Sequence, residues 1–403
     1  MPRTLLAAAF RAPALALGLV PVLALGLAAF VAAPGRAAEP VRIALVAVLS
    51  GPQATLGQQV RDGFQLGLKT LGDKLGGAPV ELSVIDDEMK PDGAVTKLRG
   101  LMESQHVPIV VGPVFSNVLA AILKPAIEGG AILLSPNAGP STLAGKGCNP
   151  DFFAVSYEND VVHSVLGKVA QDRGYKRVVL LAPNYQAGRD AMAGFKSRYA
   201  GTVVDEMYVP LSQMDFQSEI ARIAADKPDA VFAFMPGGLG INLVKQYRQA
   251  GLADIPFLSA FTVDESVLPA EGAAALGFYS GTDWAPDLDN PANKAFVAAF
   301  EKAYGYVPAT YAAQAYDTAM LLNAALTITH GDAADRDRLR AALETAHFPS
   351  VRGDFRFGVN HYPVENFYLA QVARRPDGKY QTEIRETVLK DDVDPYAAAC
   401  HMK

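Results

Sequence analysis

The sequence predicts an α/β protein built from two similar doubly wound units. Three observations point there. Short apolar runs rich in β-branched residues alternate with helix-period patterns. The alternation restarts midway. The chain, at 403 residues, exceeds the size at which one core keeps growing.

The elements follow in order. "VRIALVAVLS" (41–50) is an apolar strand ending in a turn signal. "VRDGFQLGLKTLGDKL" (60–75) places Phe64, Leu68, Leu71 and Leu75 at helical spacing. Strand "VELSVIDD", helix "DGAVTKLRGLMESQ", strand "PIVVG", helix "NVLAAILKPAIEG" and strand "AILLS" follow. Strands that are apolar throughout are parallel strands covered on both faces by crossover helices. After "FFAVSYENDVVHS" the pattern restarts with "VHSVLGKVAQDRG", "RVVLLAP", "GRDAMAGFKSRY", "VVDEMYVP", "DFQSEIARIAADK", "AVFAFMP", "GINLVKQYRQAG" and "IPFLSAF". "FYSGTDWAP" (278–286) reads as a segment crossing between units. Two further helices precede a β-rich tail containing "GDFRFG" and "NFYLAQVA".

The first 38 residues stand apart. Arg3 and Arg11 precede an apolar stretch interrupted by Pro13 and Pro21, and "PGRAA" closes it. That order is a secretory signal peptide, with cleavage expected just after Ala37 or Ala38. The alternative is a membrane anchor, since the stretch is long enough to span a bilayer. No Cys lies near the cleavage point, so a lipid anchor is not expected. Residues 1–38 carry three Arg and no acid, so without them the net charge falls from −6 to −9. Such a chain has no general attraction for nucleic acid or anionic lipid. Cys148 and Cys400 are the two cysteines. Export and an even count favour one disulfide between them; the alternative is two separate thiols.

In open α/β sheets ligands sit outside the carboxyl ends of the strands. The loops there are "LSGPQATLG", "DDEMKPD", "GPVFSN" and "SPNAGPS" in the first unit, and "APNYQAG", "MPGGLG" and "AFTVDES" in the second. They share Gly, Pro, Ser and Asn and carry few charges. Enzyme and cofactor chemistry finds little footing. "PGGLG" lacks the Lys and Ser/Thr of a P-loop. His330, His347 and His361 lack metal-ligand spacing. Asp86, Asp87 and Glu88 alternate faces rather than forming a dyad. There is no GxSxG. No metal, cofactor or catalytic residue is expected.

"IALVAVLSGPQATLG", "IVVGPVFSN" followed by "ILLSPNAGPSTL", and "DAVFAFMPGGLGINLVKQYRQAGL", in that order, resemble the type I periplasmic solute-binding proteins of ABC transporters. The similarity is to the branched-chain amino acid and amide group, over essentially the whole mature chain. The resemblance implies two lobes joined by a three-segment hinge. Lobe 1 would be 39–157 plus 284–352; lobe 2 would be 158–283 plus 353–403 with the tail. It implies a monomer in the periplasm, a small carboxylate ligand and ABC transporter membrane subunits as partners. The ligand carboxylate would be held by Ser116 and by the Asn137, Ala138 and Gly139 loop. Ser116 and Asn117 open a helix whose dipole favours an anion; the alternative is that Ser116 only caps that helix.

Amino-acid binders of the family carry polar or acidic groups where Leu56, Gly139, Pro236 and Phe261 stand here. A buried ammonium needs such partners. A larger, flatter, less polar carboxylate is the natural alternative, and "SPNAGPS", "NYQAG" and "PGG" together resemble the branch of the family associated with aromatic acids. Asn184, Tyr185 and Gly237 join the expected site, and Tyr157, Tyr185 and Phe261 are candidate aromatic walls. The alternatives are transport of a branched-chain amino acid or amide, and a ligand-sensing domain of the same fold.

Overall fold

In chain order the elements are β1 (Val41–Ala47), α1 (Ala54–Thr70), β2 (Lys74–Leu75), β3 (Ala78–Asp86), α2 (Pro91–Gln105), β4 (Ile109–Val111), α3 (Ser116–Glu128), β5 (Ile132–Ser135), α4 (Ser141–Ala144) and β6 (Phe152–Ala154). There follow α5 (Asn159–Asp172), β7 (Arg177–Pro183), α6 (Gln186–Ser197), β8 (Thr202–Val209), α7 (Gln217–Asp226), β9 (Ala230–Ala233), α8 (Gly238–Gln249), β10 (Phe257–Ser259), α9 (Leu268–Glu271) and β11 (Tyr279–Thr282). The chain ends with α10 (Pro291–Tyr304), α11 (Thr310–Ile328), α12 (Arg336–Thr345), β12 (Arg356–Phe357), β13 (Pro363–Arg374) and β14 (Tyr380–Asp392). This computed structural model describes residues 39–402 and, before them, only Ala9. The expected signal segment and its cleavage site lie outside the described residues. No described helix is long and apolar enough to cross a membrane.

Two sheets organise the chain. The first has the order β2-β3-β1-β4-β5-β6. All its pairs are parallel except β2 with β3. Its central strand β1 is buried from Ile43 to Ala47, because helices cover both faces. The second runs β12-β13-β11-β10-β9-β7-β8, with β14 paired to β13. It is parallel from β11 to β8, and β13 and β14 extend it antiparallel. Residues 38–403 form one unit.

The helices after β11 return to the first sheet. α11 packs along α1. A Cβ at Gly63 would sit 2.2 Å from the Ala312 carbonyl oxygen, so only glycine permits that approach. The backbone thus passes between the sheets three times, at residues 155–158, 283–290 and 346–355. The expected crossing at 278–286 begins later than its sequence suggested. Residues 279–282 are β11, paired with β10 and β13, and the chain leaves the sheet only at Asp283.

One side chain ties the three crossings together. Arg352, on the third, donates from Nη2 to the Val155 carbonyl at 2.5 Å and from Nη1 to the Ser156 carbonyl at 2.7 Å, both on the first. It also meets Asp283 of the second at 3.4 Å, Asp317 of α11 at 3.1 Å and Glu365 of β13 at 2.9 Å. Arg352 is 5% exposed. Burial works to lower its pKa, but Glu365, Asp317 and Asp283 raise it well above the usual value. Burial in turn pushes Asp317 and Glu365 upward, against the pull of Arg352.

The tail is fastened separately. Beyond β14, Asp394 accepts from Asn360 Nδ2, which also donates to the Ala144 carbonyl, each at 2.7 Å. Cys400 is disulfide-bonded to Cys148, with Cα atoms 5.7 Å apart. A segment leaving the second sheet is thereby pinned to the loop that leads into β6 of the first.

Replacing Arg352 by Met leaves three buried carboxylates without their cation. The expected cost is about 3–5 kcal/mol, read from the shift in the urea unfolding midpoint. A change below about 1 kcal/mol would mean that the node behaves like a surface ion pair.

Candidate functional site

The carboxyl ends of the two sets of parallel strands face each other. The loops there enclose a narrow slot of about 20 Å³, little more than the space one water needs. From the first sheet come Leu56, Phe115, Ser116, Asn137 and Ala138; from the second, Tyr185, Ala187, Phe234, Pro236 and Phe261. Tyr157 on the first crossing, Asn159 and His163 on α5, and Tyr311 on α11 close the remaining sides. A larger surface cleft of about 480 Å³ lies beside His106 and His330. It sits at the amino ends of the strands, the end such sheets do not use for ligands.

The walls are aromatic. Tyr157 stacks on Phe261 with centroids 5.1 Å apart, and Tyr185 on Phe234 at 6.2 Å. Phe115 meets Tyr185 at 6.1 Å, and Tyr311 meets Phe261 at 5.9 Å. His163 stands edge-on to Phe234 at 4.8 Å and to Phe261 at 6.0 Å. Phe261 has φ of 57°, a left-handed conformation that is rare for a bulky side chain and costs about 1–3 kcal/mol. The next residue holds it there. Thr262 Oγ1 accepts from the Met235 N–H at 2.8 Å and donates to the Ala233 carbonyl at 3.0 Å.

The polar groups are neutral. Ser116 is the first residue of α3; Phe115 occupies the cap position with extended backbone, and no side chain caps the helix. The capping role for Ser116 therefore gives way to another. Its Oγ accepts only a 3.5 Å contact from Asn159 Nδ2, which leaves the hydroxyl proton uncommitted. The N–H groups of Ser116 and Asn117 have no acceptor within the helix. The Ala138 N–H has none among the described residues. Ser116 and Ala138 both line the slot, at the helix end whose dipole favours an anion.

Of the residues expected from sequence, Ser116, Asn137, Ala138, Tyr157, Tyr185 and Phe261 meet in the slot. Asn137 serves its neighbours there, donating to the Val114 carbonyl at 2.6 Å and accepting from the Tyr157 hydroxyl at 3.0 Å. Gly139 does not line the slot. Its N–H goes to Asn159 Oδ1 at 3.3 Å, and a Cβ there would strike the Tyr157 carbonyl oxygen at 1.8 Å. Asn117 and Asn184 line an adjoining groove with Arg189. Gly237 faces Gln53, one residue beyond the lining Pro236. Sequence reasoning missed Phe115, Asn159, His163, Phe234 and Tyr311. Phe234 had a usable signal, since it follows a strand at its carboxyl end.

No Asp or Glu lines the slot. One acid does lie close in sequence to Phe261. Asp264 is buried, with a pKa raised to about 6 by burial, and its Oδ1 accepts from the Ser266 N–H at 2.8 Å. Two polar links span the slot from outside. Gln53 Oε1 accepts from the Gly238 N–H at 3.0 Å, and Asp190 accepts from the Ser141 hydroxyl at 2.7 Å.

The periplasmic binding protein family model matches residues 40–379. An ABC transporter solute-binding protein from R. palustris, solved with benzoate, is 33% identical; the match covers 90% of this chain and 99% of that one, with a TM-score of 0.84. Another from Rhodopseudomonas palustris BisB5, solved with 3,4-dihydroxybenzoic acid, is 29% identical over 87% of this chain and 98% of that one, with a TM-score of 0.81. The Leu/Ile/Val-binding protein homolog 6 of Brucella melitensis is 28% identical over 372 residues, 89% of this chain and 94% of its own.

Proposed function

The chain belongs to the periplasmic binding protein family, and from that premise we propose that it carries an aromatic carboxylate to an ABC importer. The observation that carries this reading is the slot itself: several aromatic rings, neutral donors at one end, and no carboxylate among the described lining residues. A carboxylate can be held by backbone N–H groups and a Ser hydroxyl. A flat ring buries apolar area against Tyr157, Tyr185, Phe234 and Phe261 at roughly 25 cal/mol per Å². An ammonium brought to the same walls loses its water and gains no charged partner. The solved relatives bound to benzoate and to 3,4-dihydroxybenzoic acid support the same class.

Capture works by closure. Lobe 1 is taken as 39–157 plus 284–352, and lobe 2 as 158–283 plus 353–403. A slot this narrow admits a ligand only when the lobes part, and the ligand then lies between two walls that meet around it. The Gln53–Gly238 and Ser141–Asp190 links belong to the closed form. The protein acts as a monomer in the periplasm, after cleavage near Ala37 or Ala38, and its partners are the transporter's membrane subunits. Family and relatives are solute-binding proteins, which fits transport without turnover. The second reading is a branched-chain amino acid, favoured by the Leu/Ile/Val-binding relatives; Asp264 would then have to serve the ammonium. A sensor domain of the same fold is a third.

A thermal-shift panel tests the ligand class, because a ligand bound only by the folded state raises the melting temperature. Benzoate-type acids should raise it and leucine or valine should not; a rise with leucine alone would reverse the assignment.

Replacing Ser116 by Ala removes one hydrogen bond to a charged group, about 1.5–3 kcal/mol. Calorimetry should show roughly a ten- to hundredfold loss of affinity. Unchanged affinity would take Ser116 out of the site.

A further inference from the structure

His163 is the one imidazole lining the slot, and it is 2% exposed. Its Nδ1 is buried and has no hydrogen-bond partner among the described residues. Burial lowers its pKa to about 3, with no other cause acting on it. The ring is therefore neutral, and Nδ1 is its N–H donor in one tautomer and its bare acceptor in the other. Three phenylalanines surround it, Phe232, Phe234 and Phe261, and none can satisfy Nδ1. Buried polar atoms are nearly always paired, and leaving one unpaired in a binding slot costs affinity for any ligand that cannot pair it. A Leu or Phe at this position would pack the same space at no such cost.

The position of His163 says which end of a ligand it meets. Asn159 opens α5 and touches Ser116. His163 is four residues further on the same helix face, about 6 Å along its axis. That spacing is the length of a benzene ring substituted at both ends. Ser116, Ala138 and His163 all line the slot, so a ring whose carboxylate is held by Ser116 and Ala138 would extend toward the imidazole.

We infer that His163 pairs with a hydroxyl on the ring carbon opposite the carboxylate, so that 4-hydroxybenzoate is preferred over benzoate. The inference rests on the aromatic-acid reading and sharpens it. The hydroxyl donates to the bare nitrogen or accepts from the N–H, and the imidazole needs no change of charge to do either.

Calorimetry on the wild-type protein with benzoate, 3-hydroxybenzoate and 4-hydroxybenzoate, repeated on His163→Phe, decides it. The expected result is an advantage of 4-hydroxybenzoate over benzoate on the order of tenfold in the wild type, and a ratio of the two affinities near one in His163→Phe. Equal wild-type affinities, an advantage that belongs to the 3-hydroxy isomer, or one that survives in His163→Phe would each overturn the inference and leave the aromatic-acid function standing. Failure of all three acids would overturn both. If His163→Phe does not fold, the wild-type ranking of the two isomers decides.

Discussion

The Arg352 guanidinium is the constraint on which the architecture turns. It is the point where all three passages between the sheets meet, through the Val155 and Ser156 carbonyls, Asp283, and its own backbone. Three carboxylates and two carbonyls surround this one planar cation. Such a node costs desolvation energy, and a well-packed apolar cluster could be as stable. What it adds is direction. Each passage is held to the others through hydrogen bonds of fixed geometry. The tail, pinned through Cys148–Cys400, adds a covalent tie between the same two halves of the chain.

The slot depends on that arrangement, because its walls belong to different halves of the chain. The helix start at Ser116 brings N–H donors and a free hydroxyl from one side. The other side brings rings, one of them held in an unfavourable backbone conformation by the hydrogen bonds of Thr262. Joined, they set neutral donors at one end of the slot against an apolar body, the distribution of polarity that the proposed aromatic acid itself carries. Neutral donors also leave no buried cation to be satisfied when the site is unliganded.

Much of this could be read from the sequence, for a physical reason. Parallel strands covered on both faces must be apolar throughout, so β1, β4, β5, β7 and β9 announced themselves. The strand β14 did not, because its outward residues are exposed and charged, as in "YQTEIRETVLKDD". Ser116, Tyr157, Tyr185 and Phe261 were legible because they stand in or beside loops at strand ends. His163 was not, since it sits in the middle of a helix whose neighbours are buried, and a core histidine looks the same in sequence. Gly139 was placed in the site because its loop is; its N–H turned out to be engaged by Asn159. Arg352 gave no local sign at all. In "SVRGDF" it reads as a solvent-facing loop residue, and its burial depends on acids that lie far from it in the chain.

The central claim is that a carboxylate sits at the start of α3 with its ring between the aromatic walls. A crystal structure of the protein grown with benzoate tests it directly. Ligand density is expected in the slot, with a carboxylate oxygen within hydrogen-bond distance of Ser116 Oγ and the ring against Tyr157 and Phe261. Density only in the cleft beside His106 and His330, or a ring reversed so that the carboxylate faces Phe234, would contradict it.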